Sequence, residues 1–111
     1  MRIIRASEVI FANDKTETEF YSLDKNDELR KYIERAIRDI QQNAFCGIQI
    51  PKRLFPKEYI QKYGIKNLWK YDMPDSWRLI YTITTPTKVE VLSIILEWFN
   101  HKEYERRFGY Q

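Results

Sequence analysis

The chain has 111 residues, of which 43% are hydrophobic, 15% aromatic and 32% charged, with a formal net charge of +3. This is the length of a single domain, which can bury one real core without disulfides or metals. No apolar run nears the ~20 residues that span a bilayer, and Cys46 alone can make neither an internal disulfide nor a cysteine-based zinc site. The opening residues have no apolar segment followed by a small-residue cleavage site, so the expected compartment is the cytoplasm.

In chain order, Arg2–Phe11 reads as a first strand, with Ile3, Ile4, Val9, Ile10 and Phe11 as its apolar content. Ala12–Ser22 is polar with little period, and Phe20, Tyr21 and Leu23 are expected to dock as it leads into the next element. Asp24–Ala44 is the clearest helix, because Leu29, Tyr32, Ile33, Ala36, Ile37 and Ile40 form one stripe at three- and four-residue spacings. Asp24 suits its N-cap, and Gly47 suits a left-handed exit from it. Pro56 opens a short second helix through Lys62 or Tyr63, which Gly64 closes.

Asn67–Ile83 then reads as a hairpin, with strands Leu68–Asp72 and Trp77–Ile83 around a type I turn at Met73-Pro74-Asp75-Ser76. Thr84-Thr85-Pro86-Thr87 is a second turn. Val89–Phe99 is apolar on both alternation phases, as expected of a strand buried on both faces in the middle of the sheet. The last stretch, from Asn100 to Tyr110, is expected as a short helix or ordered tail. The order is therefore strand, two helices, three strands. It predicts an α+β sandwich of two layers, with the helices on one face of an antiparallel sheet and the other face or an edge groove open.

Charge is unevenly spread. Between Pro51 and Lys70 lie Lys52, Arg53, Lys57, Lys62, Lys66 and Lys70 against Glu58 alone, interleaved with Phe55, Tyr59, Tyr63 and Trp69. Such a pattern suits phosphates and bases, and equally a solvated lysine-rich helix face with its aromatics turned inward. Arg78 is a permanent cation in an otherwise apolar strand. Facing the core it needs a carboxylate, Asp72 or Glu97; facing a groove it suits a phosphate. His101 is the one side chain that titrates near neutrality when unperturbed, and it follows the end of a buried strand. Tyr104 and Arg107 come at successive steps of three and are expected to share its helix face. No glycine-rich phosphate loop, nucleophile elbow or zinc motif is present, so neither metal nor cofactor is expected.

The Trp77–Tyr81 strand (WRLIY), the buried Val89–Phe99 strand and the His101–Phe108 terminus (HKEYERRF) resemble the RelE/ParE superfamily of type II toxin–antitoxin toxins, most closely its RelE-like branch. The resemblance in element order covers nearly the whole chain. It implies two N-terminal helices packed on a twisted antiparallel sheet, in the order strand-helix-helix-strand-strand-strand. It also implies a ribosome-dependent, metal-independent endoribonuclease that cleaves mRNA by attack of the RNA's own 2′-hydroxyl, with a cognate antitoxin as partner. Under that resemblance Arg78, His101 and Tyr104 are the catalytic candidates, and Lys52, Arg53, Lys57, Lys70 and Arg107 supply RNA-binding charge. The ParE branch is similar in fold but inhibits DNA gyrase without cutting RNA. A catalytically inactive binding protein of the same fold is the third alternative.

Overall fold

The helix that the sequence shows most plainly is capped three residues after its first available cap. Asp24 instead turns the chain locally, its carboxylate accepting from the Asn26 N–H at 2.8 Å, and Asp27 caps the helix by accepting from the Leu29 N–H at 2.8 Å. The helix then runs over Glu28–Gln42 and buries Ile33, Ala36 and Ile40 completely. In the computed structural model, which describes residues 5–109, the elements in order are β1 (Glu8–Phe11), α1 (Asp14–Ser22), α2 (Glu28–Gln42), β2 (Ile48–Gln49), α3 (Lys57–Tyr63), β3 (Trp69–Asp72), β4 (Arg78–Thr84), β5 (Leu92–Phe99) and α4 (His101–Phe108). Arg2, Ile3 and Ile4 of the expected first strand, and Tyr110 of the tail, lie outside the described residues.

The protein is an α+β fold on a five-stranded mixed sheet in the order β1-β5-β4-β3-β2. Two expectations are corrected here. The sheet is not wholly antiparallel, because β1 runs parallel to β5, with Val9 opposite Ser93 and Ile10 opposite Ile94. Nor are there only two layers. On one face α1 and α2 pack Phe20, Ile33, Ala36 and Ile40 against Leu79, Tyr81 and Ile95. On the other, α3 and α4 pack Tyr59, Tyr104 and Phe108 against Leu68, Ile80, Leu96 and Phe99. Alternation along β4 supplies both cores, so this strand is the centre of the molecule.

A bulge shapes the α3/α4 face. Ile80 pairs with Glu97 but Tyr81 pairs with Ile95, which leaves Leu96 as the extra residue of β5. An extra residue breaks the two-residue alternation, so Leu96 and Glu97 both turn to the α3/α4 side. Leu96 joins the core there and Glu97 meets both helices.

Turns and glycines supply further corrections. Around the hairpin tip, Asp75 and Ser76 have φ of 59° and 63°, with Trp77 N–H donating to the Pro74 carbonyl at 3.3 Å. Positive φ at both central residues is the type I′ pattern rather than type I, and it matches the right-handed twist of paired strands. Gly47 is extended, not left-handed, with φ of −80°. Its missing side chain matters for another reason: a Cβ would lie 2.6 Å from the Lys70 carbonyl oxygen and 2.7 Å from the Tyr81 hydroxyl. Gly64 does close α3 in the left-handed conformation. Among the described residues no helix is long and apolar enough to cross a membrane.

Candidate functional site

Arg78 opens β4, paired across from Asp72 of β3 and Phe99 of β5. Strand alternation sends Lys70, Asp72 and Arg78 to the α3/α4 face. There Arg78 Nε lies 3.0 Å from Asp72 Oδ1, and Lys70 Nζ lies 3.6 Å from the same oxygen. Arg78 also donates weakly from Nη1 to the Trp77 carbonyl at 3.4 Å, while its Nε has no aligned hydrogen bond among the described residues. Of the two carboxylates open to Arg78 from the sequence, Asp72 is the partner.

Tyr104 of α4 lies against these cations. Lys70 Nζ is 5.4 Å and the Arg78 guanidinium carbon 5.6 Å from its ring centroid, within cation–π range. Tyr104 is buried, in ring contact with Phe99 and Phe108, so α4 presses one aromatic plane onto both cations. The cations keep part of their surface in solvent: 21% of the Lys70 side chain and 18% of the Arg78 side chain remain exposed.

His101, Tyr104 and Arg107 do not make one face. Each step of three residues falls short of the 3.6-residue turn, and the deficit accumulates over two steps. His101 stands exposed in the first turn of α4, its Nε2 paired with Glu105 one turn on. Tyr104 turns to the sheet. Arg107 is half-buried and pairs with Glu58 of α3 and, at 3.2 Å, with Glu97 of β5. Tyr59 donates to the same Glu97. Burial works against the Arg107 charge, but the Glu58 hydrogen bond and the Glu97 charge outweigh it and push its pKa up. Burial and the Glu97 hydrogen bond likewise push the Tyr59 phenol up. Arg107 is thus engaged by two carboxylates. Lys52, Arg53 and Lys57 are exposed on and just after the turn leading into α3, with no ion pair among the described residues.

A groove of about 730 Å³ lies where β3 begins and β4 ends, lined by Phe45, Tyr63, Ile65, Trp69, Ile83 and Lys66 among others. Thr84 at that end lies six residues along β4 from Arg78, roughly 20 Å of strand. A second recess of about 90 Å³ includes Lys15, Lys62 and Glu97. Neither contains Arg78. Among the described residues that line it, the groove has Lys66 as its one charged residue and no carboxylate, so its cation has no acidic counterpart. The Lys70–Asp72–Arg78 cluster has both signs of charge, with the Tyr104 ring of α4 against its two cations. It is the better chemical candidate. The groove was not visible in the sequence, where its trace is Tyr63, Lys66 and Trp69 inside the basic, aromatic window. Among the described residues no group of three or more His, Cys, Asp or Glu side chains could hold a metal ion. No family model, curated protein or solved structure matches the chain.

Proposed function

We propose that the protein is the toxin of a type II toxin–antitoxin system, of the RelE-like branch of the RelE/ParE superfamily, and acts as a ribosome-dependent, metal-independent mRNA endoribonuclease in the cytoplasm. The observation that carries this reading is the convergence of Lys70 and Arg78 on one anionic oxygen, against the ring of Tyr104. The α+β architecture, with β4 and its neighbours β3 and β5 antiparallel at the centre of the sheet, is compatible with the family resemblance.

In this chemistry the 2′-hydroxyl of one nucleotide attacks the adjacent phosphate and the 5′-oxygen of the next leaves. Negative charge grows on the non-bridging oxygens, where fixed cations are worth most. Arg78 sits on a central strand and Lys70 on its neighbour, so both are held without reorganisation. His101 performs proton transfer from solvent's edge, its ring oriented by Glu105. Tyr104 keeps the cations in place through its ring. Lys52, Arg53 and Lys57 draw the RNA backbone in. The partner is an acidic antitoxin segment that folds over this basic surface.

The test is translation of a reporter mRNA with wild type, Arg78→Ala and His101→Ala, with RNA ends mapped by primer extension. Wild type should give codon-positioned cuts. Arg78→Ala should lower the cleavage rate by about 10²–10³-fold, and His101→Ala by at least about 10²-fold. Intact mRNA beside poisoned DNA gyrase would replace this reading with a ParE-like one, and inertness in both assays with that of an inactive binding protein.

A further inference from the structure

We propose that the position of Asp72 Oδ1, between Lys70 and Arg78, is the seat of an RNA phosphodiester oxygen, and that Asp72 is a specificity-determining residue which the phosphate must displace. The inference rests on the RNA-cleavage reading above. One carboxylate oxygen serves both cations, at 3.0 Å from Arg78 Nε and 3.6 Å from Lys70 Nζ. Two cations against one carboxylate leave the cluster with an unmatched positive charge. Asp72 is also the loosest of the three, with 46% of its side chain exposed, and it makes no other ion pair among the described residues.

The contact is poorly made as a hydrogen bond, because Arg78 Nε lacks an aligned acceptor. Breaking it therefore forfeits charge attraction but no well-formed donor–acceptor pair. A phosphodiester has the same charge as Asp72 and two tetrahedral non-bridging oxygens, one for each cation. In this structure the carboxylate presents one oxygen, Oδ1, to both. A ligand offering one weak oxygen gains nothing over Asp72 and is rejected; a phosphodiester gains a second charged contact.

Fluorescence anisotropy with a short 2′-O-methyl RNA, which cannot be cleaved, tests this at fixed salt. Asp72→Asn should tighten binding by about threefold to fivefold, the scale of an exposed ion pair. Asp75→Asn removes the same charge at the hairpin tip and should shift affinity by less than about twofold. The gain from Asp72→Asn should vanish in an Arg78→Ala background. Asp72→Ser, with thermal melts of every variant, guards against a folding defect. Asp72→Asn binding no tighter than Asp75→Asn, or a gain that persists without Arg78, would overturn the proposal. So would an oligoglutamate peptide competing as well as the RNA.

A titration with inorganic phosphate, read by the ¹⁵N shift of Arg78 Nε, separates the two levels. If Asp72→Asn shifts at lower phosphate than wild type while no variant binds RNA, the anion seat stands and the RNA reading falls. If RNA binding needs Arg78 but Asp72→Asn and Asp75→Asn behave alike, the RNA reading stands and the role of Asp72 falls.

Discussion

Tyr59, Tyr71 and Tyr81 each turn a hydroxyl into the fold, onto Glu97, Asp39 and the Ala44 carbonyl. Burial holds all three phenols above their ordinary value of 10.0, aided for Tyr59 and Tyr71 by the carboxylate each donates to, and Tyr71 is pushed up to about 12. A proton bound more tightly by the folded than by the unfolded chain stabilises the fold fully below the unfolded pKa. That contribution drains away as pH rises toward the folded value. Stability should therefore hold through neutral pH and fall between pH 10.0 and about 12. Denaturant midpoints across that range check it, and Tyr71→Phe should blunt the fall. An unchanged midpoint at pH 12 would show that these hydroxyls contribute nothing through ionisation. At this same scale the sequence marked Arg78 as an anomaly, since a permanent charge among apolar strand residues asks for a partner. It left Asp72 and Glu97 equal as that partner, because cross-strand register is a property of two strands.

Legibility at the scale of elements followed the density of apolar residues. The stripe from Leu29 to Ile40 and the Pro56–Gly64 bracket located α2 and α3 well. The nine-residue α1 was missed because it buries just Thr16 and Phe20, and its stability comes from elsewhere. Asn13 caps it by accepting from both the N–H and the hydroxyl of Thr16. β2 was missed for its length, being two exposed residues paired with Trp69 and Lys70. The hairpin was legible, its turn type less so, since Asp75 and Ser76 both take the left-handed conformation without being glycine. That observation makes a prediction. A left-handed backbone costs an L-residue about 1–2 kcal/mol. Ser76→Gly should recover up to about 1 kcal/mol of this, raising the melting temperature by about 5 °C. Ser76→Val should lower it, and the reverse order in calorimetry would show that the turn relaxes at no cost.

For the whole molecule, the chief surprise is the second helical layer. The sequence assigned both helices to one face, but α3 and α4 lie opposite α1 and α2. Nothing local reveals this, because the side on which a helix packs depends on where the chain crosses the sheet. The β5 bulge was equally hidden, and it is what turns Glu97 toward Arg107. Through Glu58 and Glu97, Arg107 joins α3, β5 and α4, and so fixes the helix that presents Tyr104 to the cations. Removing one partner from a buried ion network costs about 3–5 kcal/mol, but this network is screened, with 30% of the Arg107 side chain exposed. Arg107→Met should therefore cost about 1–2 kcal/mol. The cost should shrink by at least about 0.5 kcal/mol in a Glu97→Gln background, because the two side chains share one interaction. Urea denaturation of the four proteins in this cycle measures both terms. A loss of RNA affinity with full stability would instead make Arg107 a ligand contact. A stability loss with the coupling shown makes it the brace of the outer layer, and through that layer of the site.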